Sequence, residues 1–136
     1  MKTYQNTLNL LGRLLIVVLF LPAGLSKLTN FAGTVGYFAS VGLPLATLAV
    51  VVAITAEVLG GIALLVGFQT RITAILLAVF TLAASIAGHA FWTAAADAAF
   101  VQQLLFIKNI AVIGGLLVLA SAGAGKFSID GYKQSN

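Results

Sequence analysis

Residues Leu43 to Val66 read LPLATLAVVVAITAEVLGGIALLV, an almost unbroken apolar run with one charge, Glu57, inside it. As a helix rising 1.5 Å per residue it would be about 36 Å long, more than the roughly 30 Å of a bilayer's hydrocarbon core. Working outward, the stretch before it, Asn9 to Leu28 (NLLGRLLIVVLFLPAGLSKL), is of the same kind. So are Arg71 to Phe91 and Phe100 to Ala122 on the other side. The connections between them are short. The sequence therefore predicts an all-α, integral-membrane antiparallel four-helix bundle with spans at about 9–28, 43–66, 71–91 and 100–122, forming one domain over 1–136.

Composition points the same way. Of 136 residues, 61% are hydrophobic and 7% charged, against about 25% charged in an ordinary soluble domain. Ten charged side chains cannot wet a globule of this size, and a mean hydropathy of +1.12 makes lipid the solvent for this surface. The net charge of +4 does not suggest nucleic-acid binding, because its cations are scattered singly and no cluster follows a phosphate backbone. Cysteine is absent, which excludes disulfide exchange, a zinc–thiolate site, a self-contained iron–sulfur cluster and a persulfide carrier on this chain. A lone His89 cannot supply both axial ligands of a haem, and no metal-ligand spacing is present. The glycine-rich turn Ala122–Lys126 (AGAGK) lacks the spacing and hydroxyl of a phosphate loop.

Local signals refine the spans. Lys2 ahead of an apolar core resembles a signal peptide, but no small-residue cleavage site follows and three further spans do, so the segment reads as a span. Pro22 has no N–H for the carbonyl of Val18 and is expected to kink the first helix. Gly42-Leu43-Pro44 marks the start of the second, with proline in the first turn. Phe31, Val35 and Phe38 fall at helical spacing within 30–41, as in a short helix lying on the bilayer surface. Trp92 is placed like an interfacial anchor. Lys2, Arg71, Lys126 and Lys133 lie on one side, with Arg13 just inside it, and Lys27 and Asp97 lie on the other. The excess of cations on the first side predicts that both termini are cytoplasmic.

Each span also carries a stripe of small or polar residues at steps of three and four. The stripes are Asn9, Arg13, Gly24 and Lys27; Ala46, Ala49, Ala53, Glu57, Gly60 and Leu64; Arg71, Ala74, Ala78, Thr81, Ser85 and His89; and Lys108, Ala111, Gly115 and Ala122. Small residues let helices approach closely in lipid, and ionisable ones face the bundle interior. Glu57 lies about 13 Å from the cytoplasmic end of its span and Arg13 about 6 Å from the same side, while Lys108 is about 12 Å from the opposite face. A lone carboxylate at that depth is costly, so a cation partner is expected, and Arg13 or Lys108 can span the gap. His89 and Lys27 sit nearer the periplasmic mouth. The expected site is a polar cavity of Arg13, Lys27, Glu57, His89, Lys108 and Asn109, open to the periplasm and with Glu57 at its floor. The competing reading is that the charge pair only specifies helix packing and that His89 is a hydrogen-bonded rim residue.

Four strings, GRLLIVVLFLPAGLSKL (12–28), TAEVLGGIALLVGFQTR (55–71), GHAFW (88–92) and LFIKNIAVIGGLLVLASAGAGKFSID (105–130), together resemble the DoxX family of small bacterial membrane proteins. The likeness covers roughly Gly12 to Asp130. It implies a four-span bundle in the bacterial inner membrane, similar to the membrane subunit of a thiosulfate:quinone oxidoreductase. Some members are linked to redox and sulfur-stress complexes with soluble partners. Arg13, Lys27, Glu57, Arg71, His89, Lys108 and Asn109 occupy recurring polar positions of the family, without a catalytic role that transfers to them.

Three functions compete. The first is a membrane subunit or partner of a redox assembly, linked to quinone or sulfur, in which Lys108, Asn109 or His89 donates to a quinone headgroup; no haem or iron–sulfur cluster is expected. The second is a small-molecule or proton-coupled transporter, which would need a homodimer to build two-sided access because no inverted repeat is evident. The third is a scaffold without an activity of its own.

Overall fold

The computed structural model describes residues 2–135, and every regular element among them is helical. In chain order these are α1 (Thr3–Thr29), α2 (Phe31–Ser40), α3 (Ala46–Ile54), a π-helical turn (Thr55–Leu59), α4 (Gly60–Val66), α5 (Thr70–Gly88), a 3-10 turn (Phe91–Thr93), α6 (Ala96–Ala122) and α7 (Ile129–Gln134). Four stretches, Thr3–Thr29, Ala46–Val66, Thr70–Thr93 and Ala96–Ala122, are long and apolar enough to cross a bilayer. The second of them is α3, the π turn and α4 in succession. The expected spans are all present, and the short helix expected near 30–41 is α2.

The core is small for a physical reason: in lipid, leucine has no need to hide. Val17 and Phe20 of α1, Leu64 of α4, Ala74, Leu77 and Ala78 of α5, and Leu116 and Leu119 of α6 form one buried cluster. Most of the remaining aliphatic side chains, Leu15, Val18, Leu76 and Val118 among them, face outward, where the bilayer covers them. Small or polar residues, among them Ala53, Thr81, Ser85 and Asn109, share the inner positions with this cluster.

Several local expectations shift. The first and fourth helices begin earlier than the apolar runs, at Thr3 and Ala96, because a helix can continue past the hydrocarbon into the interface. Pro44 is not in a first helical turn. The helix starts at Ala46, after Leu45 in a left-handed conformation (φ 52°). α1 runs without interruption through Pro22, which sits on an exposed face. On α6 the buried positions are Asn109, Leu116 and Leu119, while Lys108, Ala111, Gly115 and Ala122 are exposed. The stripe of small residues therefore lies about one residue, or 100°, away from the face that packs. Arg71 is likewise exposed and donates to the carbonyls of Ala120 and Ser121 at the end of α6.

The end of the bundle that carries both termini is closed by the C-terminal segment. Arg13, 1% exposed, donates from Nη1 to the carbonyl of Ala124 at 2.7 Å and from Nη2 to that of Phe127 at 2.8 Å. A longer contact reaches Leu65 O at 3.4 Å. Asn6 accepts from the Lys126 N–H at 2.9 Å. Gly67 turns the α4–α5 hairpin with φ +69°, and a Cβ there would lie 2.3 Å from Ser128 Cβ. Only glycine meets both conditions.

Asp130 completes this closure by capping α5 from sixty residues away. Its carboxylate accepts from the Gln69 N–H at 2.9 Å and the Thr70 N–H at 2.8 Å, the first amides of a helix whose dipole favours an anion. Partial burial works to raise the Asp130 pKa, but the amide hydrogen bonds and Lys133 outweigh it and hold the carboxyl below its ordinary value. With the folded pKa below the unfolded one, the unfolded chain binds more protons at low pH, so stability rises with pH. The contribution is complete above the ordinary carboxylate range near about pH 4 and is lost as pH falls through the lower folded value. Asp130→Asn should cost about 1 kcal/mol at neutral pH and flatten the acid limb of a melting-temperature profile. An acid limb identical to the wild type would contradict the cap.

Candidate functional site

The second span widens into its π turn around Glu57, a distortion that recurs at functional sites in helices. α1 crosses it at Gly24. A Cβ on Gly24 would fall 2.7 Å from Val58 Cγ2 and 2.8 Å from Glu57 Cβ, so the absence of a side chain sets how closely the two helices meet. One turn further along α1, Lys27 Nζ reaches both carboxylate oxygens of Glu57, at 3.1 and 2.9 Å. The pair is partly withdrawn from solvent, with side chains 25% and 10% exposed.

The cation on Glu57 is therefore Lys27, and neither Arg13 nor Lys108 is its partner. Chain direction explains the difference. Arg13 and the Leu65 carbonyl lie at one level. From there α1 climbs about 21 Å to Lys27, and the second span about 12 Å to Glu57. The side chains of Lys27 and Glu57 close the remaining 9 Å or so. Depth counted from each span's own end assigns Lys27 to the mouth alone and misses the reach of its four-carbon stem.

A second polar column joins α5 to α6. Asn109 donates from Nδ2 to Ser85 Oγ at 2.9 Å. Ser85 donates to the Thr81 carbonyl at 2.7 Å, and Thr81 to the Leu77 carbonyl at 2.7 Å. Two turns along α6 from Asn109, Gln102 Oε1 lies 2.8 Å from His89 Nδ1. A carbonyl oxygen only accepts, so Nδ1 carries the hydrogen and Nε2 is the ring's remaining acceptor. Gln102 was absent from the polar set read in the sequence. Its seven-residue spacing from Asn109, two helical turns on one face, is the signal that could have found it. Phe91, Trp92 and Phe106 form an edge-to-face cluster with centroids 5.3 to 5.7 Å apart, which fastens the 3-10 turn to α6.

These groups share a cavity of about 640 Å³ at the end of the bundle away from the termini. Lys27, Glu57, His89, Lys108, Asn109 and Thr81 line it, and so do apolar side chains of α2, α3 and α5. Five of the six expected site residues thus meet in one space. Arg13 does not join them. Its guanidinium is committed at the other end, where the carbonyls of Ala124, Phe127 and Leu65 accept from it.

Comparison with known proteins agrees with this architecture. The DoxX family model matches residues 8–90, more than half of the chain. The chain belongs to the DoxX family. Among its relatives, the inner membrane protein YphA of Escherichia coli K12 is 37% identical over 126 residues, covering 93% of this chain and 90% of that protein. The inner membrane protein YqjF of the same organism is 39% identical over 130 residues, with 96% and 95% covered. CatD of Bacillus subtilis 168, by its name a candidate oxidoreductase, is 38% identical over 78 residues, 57% of each chain. No solved structure matches. With four spans and such relatives, this DoxX-family chain is a multi-pass inner-membrane protein, in contact with the lipid bilayer along all four.

Proposed function

We propose that this chain is the membrane-embedded subunit of a redox assembly and that its cavity receives the head of a lipophilic carrier, a quinone, from the bilayer. The observation that carries the reading is the combination in one cavity of an apolar wall with a few convergent donors, the usual make-up of a small-molecule site. The donor set fits quinone carbonyls: the Lys108 ammonium, the second hydrogen of Asn109 Nδ2, and Lys27 beyond its bonds to Glu57. A bound quinone would supply the electron-accepting chemistry. The chain's own part is to orient the head and to hold a proton at His89, whose ring is fixed at Nδ1 by Gln102. The CatD resemblance supports a redox setting, and soluble redox proteins are the partners such a subunit would serve. The distribution of Lys2, Arg71, Lys126 and Lys133 supports cytoplasmic termini, which would turn the cavity end toward the periplasm.

Protein purified from native membranes in mild detergent should retain extractable quinone, and Asn109→Leu should lower that content several-fold while leaving the fold intact. No retained quinone, no spectral response to added quinone and no co-purifying redox protein would together overturn the proposal. A packing-only role is the second reading, favoured by the tight Gly24 crossing beside the Lys27–Glu57 pair. Under it, Glu57→Gln lowers melting temperature yet fully complements a deletion strain.

A further inference from the structure

Only three side-chain carboxylates serve this sequence, Glu57, Asp97 and Asp130. Glu57 is held by Lys27, and Asp130 by the first amides of α5. Asp97 lies in the first turn of α6, about 16 Å along that helix from Lys108. Among the described residues, no hydrogen bond or ion pair reaches the Lys108 ammonium. Lys108 thus stands without a counter-charge well inside the Ala96–Ala122 span, where an uncompensated ammonium is costly. It also lines the cavity. Two lysines against one glutamate leave the lining with one net positive charge, and it is located at Lys108.

We propose that this cavity binds a single-chain amphiphile with a carboxylate head. The carboxylate pairs with the Lys108 ammonium, next to the Asn109 amide, and the hydrocarbon tail lies along Phe38, Leu48, Val52 and Phe80. A cavity of about 640 Å³ is within the size range of sites for one small ligand. A lone ammonium matches one monovalent oxyanion, whereas phospholipid headgroups are held by clusters of basic residues. The inference goes beyond the redox reading, since a quinone is uncharged and does not require Lys108 to be a cation.

The test uses the full chain in phosphatidylcholine nanodiscs, with radiolabelled palmitate and methyl palmitate as probes. Palmitate should bind saturably, and its methyl ester at least about tenfold more weakly, as expected when a charge-assisted contact is lost. Lys108→Met should weaken palmitate by a similar factor, while Lys108→Arg should retain it. Equal binding of acid and ester by the wild type overturns the proposal without any variant. So does wild-type affinity in a folded Lys108→Met protein, or stronger competition by phosphatidylglycerol than by palmitate. A short-chain quinone analogue that binds the wild type saturably, with no palmitate binding, overturns this inference and leaves the redox reading standing. Palmitate binding without quinone binding does the opposite.

Discussion

Lys27→Met is expected to lower the unfolding free energy by about 1–3 kcal/mol, the cost of removing one partner from an ion pair that is partly withdrawn from solvent. The loss comes less from the missing attraction than from what stays behind. Glu57, with a side chain 10% exposed, would be left in the bundle without the ammonium from which both its oxygens accept. The double variant Lys27→Met/Glu57→Gln should therefore recover most of the loss, since it removes both charges together. Reversible unfolding in detergent, followed by circular dichroism, measures all three proteins. A single variant within 1 kcal/mol or so of the wild type, or a double variant worse than the single, would show that the pair does not hold α1 to the second span.

The second large effect is expected at the other end. Arg13→Met should cost about 3–5 kcal/mol, because charge-assisted hydrogen bonds to the carbonyls of Ala124 and Phe127 are lost and the buried Ala124 acceptor loses its donor. The side-chain volumes are similar, so the change is chiefly one of donors and charge. The consequence should be local as well as global. Residues 123–134 are tied to the bundle by Arg13, by Asn6 and by the Asp130 cap on α5, and loss of the first should loosen the others. Limited proteolysis should then cut near Lys126 and Lys133 much faster than in the wild type, before the spans are touched. Unchanged cleavage in Arg13→Met would rule out Arg13 as the anchor of this segment.

Much of this architecture was legible from hydrophobic run length, since a bilayer demands a fixed apolar span and a fully paired backbone. The four spans follow from that demand alone, and α2 from the helical spacing of Phe31, Val35 and Phe38. The site was legible in part. Lys27, Glu57, His89, Lys108 and Asn109 were readable because an ionisable or amide side chain within a span has few places to go. Arg13 was assigned to the same cavity because depth and charge alone do not distinguish a carboxylate from a cluster of backbone carbonyls as its acceptor. Gln102 was overlooked because glutamine near a span end is unremarkable until His89 is placed opposite it. On α6, small residues suggested the packing face, but the helix packs through Asn109, Leu116 and Leu119, a rotation that hydropathy in an all-apolar helix does not encode.

The sequence by itself thus determined that the chain lives in lipid, how many times it crosses, and which side chains are too polar to face that lipid. Only the tertiary structure decided the partnerships: Lys27 with Glu57, Arg13 with the C-terminal carbonyls, Gln102 with His89, and Lys108 with no partner among the described residues. The reason is physical. Solvent exclusion acts on each residue according to its own chemistry and can be read one position at a time. Pairing instead depends on the relative height and rotation of two helices, which are set by close contacts such as Gly24 against Val58 that no single helix contains.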